Sequence, residues 1–163
     1  MNNNISDIRK IYEYFENATP VRYDCGNICG KKCCKGDKKD GMLLFPGEEE
    51  LFSCNENFTV YFDERYESNA VICKGPCARN DRPLSCRIFP YFIYSNASDN
   101  KLTPAPDIRA LDYCPLITEK YEFDRKFLRS LRISALKLSM NRDMVSFIEK
   151  ITKKLTDFNG LGD

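Results

Sequence analysis

Cys25-Gly-Asn-Ile-Cys29-Gly-Lys-Lys-Cys33-Cys34 puts four thiols among glycines and lysines, in a chain that contains no histidine. Free cysteine is normally sparse and buried singly as a small hydrophobe. Four of them crowded into a polar, glycine-broken stretch are not core filling. They are disulfides, metal ligands or redox thiols, and the rest of the chain is arranged to bring further cysteines to them.

Those further cysteines are Cys54, then Cys73-x3-Cys77-x8-Cys86, then Cys114. Glycines and prolines near the thiols allow loops in which sequence-distant groups close one site. With histidine absent, a bound ion is held mainly by cysteine. That selects zinc or iron–sulfur chemistry over magnesium, calcium or manganese. The spacings leave those two open. No Cys-x2-Cys zinc knuckle occurs, and no bacterial or plant-type ferredoxin run is present. The first three cysteines also miss the Cys-x3-Cys-x2-Cys pattern of radical S-adenosylmethionine enzymes.

The chain has 163 residues, the size of one ordinary domain with room for a hydrophobic core, and a single domain over 1–163 is expected. The first ten residues lack the apolar segment of a signal peptide, and no apolar run reaches membrane-spanning length. A cytoplasmic address with no membrane partner is expected. Disulfides there are usually transient, so nine cysteines, an odd number, point to metal or redox chemistry. The formal net charge of +1 offers no bulk electrostatic footprint for nucleic acid. Without histidine no Ser-His-Asp or Cys-His catalytic arrangement is possible, and no phosphate-cradling glycine loop or dinucleotide fingerprint occurs.

Taken in order, residues 6–17 read as an amphipathic helix capped by Ser6 or Asp7, with Ile8, Ile11, Tyr12 and Phe15 on one face. The cysteine cluster at 25–34 reads as an irregular loop and 36–41 as a polar turn. The apolar run at 42–45 reads as a short strand stopped by Pro46, and 48–52 as a short helix with acidic residues in its first turn. Strands are expected at 58–62, 71–72, 92–94 and 108–113, with a turn at 96–100. From Thr118 to Met140 a long helix is expected, its stripe running through Ile117, Tyr121, Asp124, Leu128, Leu131, Ala135 and Leu138, with Asp124 the one polar break. A second helix restarts at Asn141 or Asp143 and buries Val145, Ile148, Ile151, Thr152 and Leu155. These elements predict an α+β fold. A small irregular cysteine-rich metal-binding core with short strands spans 20–115, joined by an N-terminal helix and a C-terminal helical pair at 117–158.

Cys25…Cys33-Cys34, Leu44-Phe-Pro-Gly-Glu-Glu-Glu-Leu51 and Cys77-x4-Arg82-Pro83-x2-Cys86-Arg87-x-Phe89-Pro90 resemble the YkgJ-like cysteine-cluster family, described as zinc- or iron-chelating domains. The resemblance covers about residues 20–115. The family usually opens with Cys-x2-Cys, whereas the gap here is three residues; the Cys-x3-Cys-x3-Cys-Cys run is similar to the cluster of flagellin lysine-N-methylases. Those proteins are far longer, so the module and not the methylation activity carries over. The resemblance implies that the metal ligands are Cys25, Cys29, Cys33, Cys34, Cys77 and Cys86, with Cys73 and Cys114 next. Eight such thiols suffice for two four-thiolate sites. Neighbouring side chains rarely point at one ion, so one of Cys33 and Cys34 serves a second ion or none.

Arg82 and Arg87 either donate hydrogen bonds to thiolate sulfur at the cofactor or pair with Glu48–Glu50 as ordinary salt bridges. Pro83, Phe89 and Pro90 hold the Cys86 turn, and Glu48–Glu50 are helix N-terminal charges. Cys54, with no partner cysteine nearby in sequence, is a plain thiol. Three functions follow. The first is a structural, interaction or accessory protein that chelates zinc or an iron–sulfur cluster, its C-terminal helices meeting a protein partner. The second is an iron–sulfur redox protein or a subunit of a cluster-dependent, protein-modifying enzyme. The third is a thiol–disulfide redox sensor. Whether any reaction is catalysed stays open.

Overall fold

The apolar stripes of the N-terminal helix and of the two C-terminal helices enter one buried cluster. The computed structural model describes residues 3–34, 41–75, 77–112 and 114–160. Helix α1 (Asn3–Glu13) is followed by the single turn α2 (Gly26–Cys29), strand β1 (Met42–Leu43), the turn α3 (Glu49–Phe52), and strands β2 (Phe58–Asp63) and β3 (Ser68–Cys73). Then come α4 (Leu84–Ile88), strands β4 (Tyr91–Ser95) and β5 (Leu102–Pro106), the turn α5 (Pro115–Thr118), and helices α6 (Arg125–Leu138) and α7 (Arg142–Gly160). The fold is α+β, with an N-terminal helix, two C-terminal helices and short antiparallel strands between them.

The core follows from helical periodicity. Ile8 and Ile11 of α1, Phe127, Leu131 and Leu138 of α6, and Met144, Ile148 and Ile151 of α7 are all buried in one cluster. Phe15 meets Phe127 edge-on at 6.1 Å, closing α1 on α6. The sheets lie against these helices. β4 and β5 form an antiparallel hairpin whose Phe92 and Ile93 enter the core, and the backbone N–H of Ser95 donates to Thr152 Oγ1 of α7 at 3.0 Å. A second sheet, in the order β1-β3-β2, is antiparallel throughout. No described helix is long and apolar enough to cross a membrane.

Several expected elements move. The helix expected from 118 to 140 is shorter: 119–124 are turn and irregular chain, and the helix runs only over α6, Arg125–Leu138. Asp124, the polar break in its stripe, is the N-cap of α6, where its side chain accepts from the Lys126 N–H at 2.8 Å. That cap satisfies a donor that helix geometry leaves orphaned. α1 begins at Asn3 and ends at Glu13, not at 6 and 17; Asp7 accepts from Asn141 Nδ2 at 2.9 Å instead of capping. The second C-terminal helix is capped by Asn141, whose Oδ1 accepts from the Asp143 N–H at 3.0 Å.

The strand expected at 108–113 does not form. Asp107 turns the chain into a 3-10 turn at Ile108–Ala110 by accepting from the Arg109 N–H, and Tyr113 lies outside the described residues. The hairpin partner of β4 is Leu102–Pro106, whose two prolines hid it. A two-stranded hairpin has two outer edges, so its prolines need donate nothing. The loop expected at 25–34 contains α2 and a 3-10 turn at Lys32–Cys34. The polar turn expected at 36–41 falls outside the described residues except for Gly41.

Candidate metal centre

Four short segments carry the thiols, each aimed by local chemistry. Cys25 and Cys29 are four residues apart across α2 and so share a face. The backbone N–H of Gly26 donates to Asp24 Oδ1 at 2.9 Å, setting the start of this turn. Gly30 at φ 59° ends it in the left-handed region, where glycine carries no Cβ penalty. The chain reverses there and delivers Cys33 and Cys34 on the following 3-10 turn, their sulfurs 4.0 Å apart at the surface.

Cys73 ends β3 opposite Phe58, and its thiol donates to the Gly75 carbonyl at 2.8 Å. Cys77 follows after the turn. Cys86 lies inside α4, whose entry is fixed by the extended backbone of Pro83. Cys114 is the buried N-cap residue of α5, with Pro115 at the first helical position, where a missing N–H costs nothing.

These segments converge on two adjoining cavities. One, of about 70 Å³, is lined by Cys33, Cys34, Cys73, Cys77 and Cys86, with Arg82, Gly41, Met42, Phe58, Val71 and Phe89 among its walls. The other, of about 20 Å³, is lined by Cys25, Cys29, Cys33 and Cys114 with Lys32, Phe89 and Leu116. Cys33 and Phe89 line both. Gly41, in the lining of the larger cavity, leaves no room for a side chain: a Cβ there would come within 2.7 Å of the Val71 carbonyl and 2.8 Å of the Tyr61 ring. Cys54 is exposed and borders neither cavity. All nine cysteines are free thiols.

Burial in the cavities favours the neutral form of several of these thiols. Burial pushes Cys86 well up, and the neighbouring Cys77 and Cys34 push it further, since adjacent thiolates repel. Burial likewise raises Cys25, Cys73 and Cys114. Cys34 shifts the other way. A hydrogen bond from Cys33 lowers it to about 6 against the effect of burial, with Arg82 and Lys31 helping. Such a set ionises together only when a cation arrives to offset the crowded charge.

Arg82 is the charged side chain in the wall of the larger cavity. Although burial opposes its charge, its hydrogen bond to Cys77 and the nearby Cys34 and Cys86 hold its pKa up. Its Nε is buried with no hydrogen-bond partner. Arg87 is used differently. Its Nε and Nη2 donate to the carbonyls of Arg82 (2.7 Å) and Asn80 (2.6 Å), and its guanidinium lies 4.0 Å from the centre of the Tyr12 ring. The structure brings Arg82, and not Arg87, into the cavity lining. Neither arginine makes an ion pair with Glu48, Glu49 or Glu50 among the described contacts.

Glu48 is a residue whose role the sequence reading missed. It is fully buried, its Oε2 accepts from the Phe45 N–H and its Oε1 from the Leu84 N–H, each at 2.7 Å, and Tyr12 donates its hydroxyl to the same Oε1. It ties α1 and the β1 loop to the start of α4, and so fixes the turn that carries Cys86. The one available signal was an acidic residue directly behind the apolar Leu43-Leu44-Phe45-Pro46 run.

Among the described residues no three Cys, Asp or Glu side chains are already drawn close enough to hold an ion. The residues nonetheless fit one. The donors are all thiols, each sulfur can change place by one rotation about χ1, and the orphaned Arg82 Nε in the lining awaits an anionic acceptor. No family model, curated protein or solved structure matches this chain.

Proposed function

We propose that the chain is a cysteine-cluster metal protein of the kind its YkgJ-like motifs imply, holding zinc or an iron–sulfur cluster through thiolates as a structural, interaction or accessory protein. The observation that carries this reading is the gathering of eight of nine cysteines from four segments around two adjoining cavities, with the half-buried Arg82 among them. Core-filling thiols do not assemble this way. The bound metal would supply a charge centre that crosslinks these loops and, as an iron–sulfur cluster, an electron store. The chain would supply the thiolates, the guanidinium of Arg82 toward sulfur, and the apolar walls that exclude water. Free thiols fit a reducing, cytoplasmic compartment. A protein partner is proposed for the C-terminal helices, supported by Leu136 and Met140, which stand 66% and 80% exposed around the end of α6.

The test is metal and acid-labile sulfide analysis with a visible spectrum, on protein purified without oxygen. Iron with matching sulfide and a brown colour points to electron transfer or to a subunit of a cluster-dependent enzyme. Zinc alone, colourless, makes this a structural module. Absence of stoichiometric metal refutes the proposal. One observation favours a thiol–disulfide sensor instead: Cys34 is surface-placed and its thiol is lowered to about 6. Under that reading metal-free protein would gain disulfides under mild oxidant.

A further inference from the structure

We propose that the cysteines divide into two separate four-thiolate sites: Cys25, Cys29, Cys33 and Cys114 in one, and Cys34, Cys73, Cys77 and Cys86 in the other. This rests on the reading that the thiols hold metal, and adds which thiol serves which ion. The division follows from counting. Five cysteines line the larger cavity and four the smaller, with Cys33 common to both. Cys34 does not border the smaller cavity. A closed thiolate site uses four ligands, so Cys33, assigned to the cavity that needs it, leaves four thiols on each side. Cys33 and Cys34 are consecutive on a 3-10 turn with their sulfurs 4.0 Å apart, close enough to share one ion, so what separates them is that Cys33 borders the smaller cavity and Cys34 does not.

Two further features follow the same line. The smaller site rests on an apolar cluster of Val21, Ala110 and Leu116 that includes Cys114 and packs Cys25. The larger rests on a different cluster, Leu44, Phe52, Phe58 and Val71, against which Cys73 and Cys77 pack. The electrostatic neighbours also sort this way: Cys25 feels Cys29 and Cys114, whereas Cys86 feels Cys77 and Cys34. Cys33 feels members of both groups, as the residue at the boundary must. Each loaded site has a cationic residue in its wall, Lys32 for the smaller and Arg82 for the larger. Phe89 stands between the two as a shared wall.

The experiment loads the full chain with cadmium and counts bound ions by native mass spectrometry. Wild type is expected to hold two. Cys114→Ser and Cys73→Ser should each hold one, and Cys29→Ser combined with Cys114→Ser should still hold one. Cys73→Ser combined with Cys114→Ser should hold none, and Cys54→Ser should keep both. A cadmium–proton NMR correlation on the wild-type chain reads the partition without any variant: two cadmium resonances, each coupled to the β-protons of the four cysteines named. One cadmium per wild-type chain, or a resonance coupled to cysteines from both sets, overturns the partition and leaves metal binding standing. A wild-type chain that binds no cadmium overturns both.

Discussion

Glu48 places a pH-dependent charge inside the joint that carries Cys86, and replacing it with glutamine isolates that charge. Burial pushes its carboxyl from the ordinary 4.5 up to about 7, although the Tyr12 hydroxyl, the Leu84 and Phe45 N–H groups and Arg87 all favour the ionised form. Between those two values the folded state binds more protons than the unfolded chain. Stability therefore falls as pH rises through this window. At about 1.4 kcal/mol per pH unit, the full shift is worth roughly 3 kcal/mol, present below pH 4.5 and lost above pH 7. Glu48→Gln keeps the shape and removes the titration. Its amide NH2 must face either the Phe45 or the Leu84 N–H, leaving one buried donor without an acceptor, at a cost of about 1–3 kcal/mol.

The assay is urea unfolding of wild type and Glu48→Gln at fixed metal loading, from pH 4.5 to 8. Thiol and metal titrations common to both proteins cancel in the difference. The glutamine chain should be the less stable at the acid end, and the gap should close by roughly 3 kcal/mol toward pH 8 as the wild-type carboxyl ionises. Parallel pH profiles would refute the argument, because they would mean that the buried carboxyl is not titrating in this window.

Arg82→Met should leave the fold in place but weaken metal retention, read as faster loss of metal to a chelator, with affinity reduced about 10-fold or more. Arg87→Met removes two bonds to carbonyls and the stacking on Tyr12. It should lower stability by about 2–3 kcal/mol in urea while metal stoichiometry stays at the wild-type value. Asp124→Ala strips the cap from α6 and should cost about 1 kcal/mol, seen as a lower thermal midpoint with metal content unchanged.

The helical half of the fold was legible because its signals are local. Ile8, Ile11, Leu131, Ala135, Leu138, Ile148, Ile151 and Leu155 recur at helical spacing, and all are buried. What misled was a residue with two uses. Asp124 sits in phase with a stripe, so it passed for a blemish in one long helix, although an acidic residue before Arg-Lys-Phe is also a cap signal. Leu102–Pro106 failed for the opposite reason. Its prolines argue against a strand, and only the pairing Tyr91↔Pro106 and Ile93↔Pro104 in a lone hairpin shows that they cost no ladder bond needed elsewhere.

The thiols were legible as a group and not as a geometry. Spacing along a chain records which cysteines are neighbours in sequence, whereas the cavities select neighbours in space. Cys114 stands 28 residues beyond Cys86 in sequence, yet the structure places it with Cys25 and Cys29 rather than with Cys86. Buried glutamate is unreadable for a similar reason. A carboxylate that loses water must be repaid by donors, and the donors of Glu48 come from Tyr12, Phe45 and Leu84, on three separate stretches of chain. The same joint ties the thiol-lined cavities to the helices. Tyr12 of α1 meets Glu48 and underlies Arg87, and Arg87 neighbours Cys86 on α4. A change in the packing of α1 therefore reaches Cys86 through one hydrogen bond and one ring contact. Loss of metal ligation should in turn be felt along that path, since the turn bearing Cys86 is held from both sides.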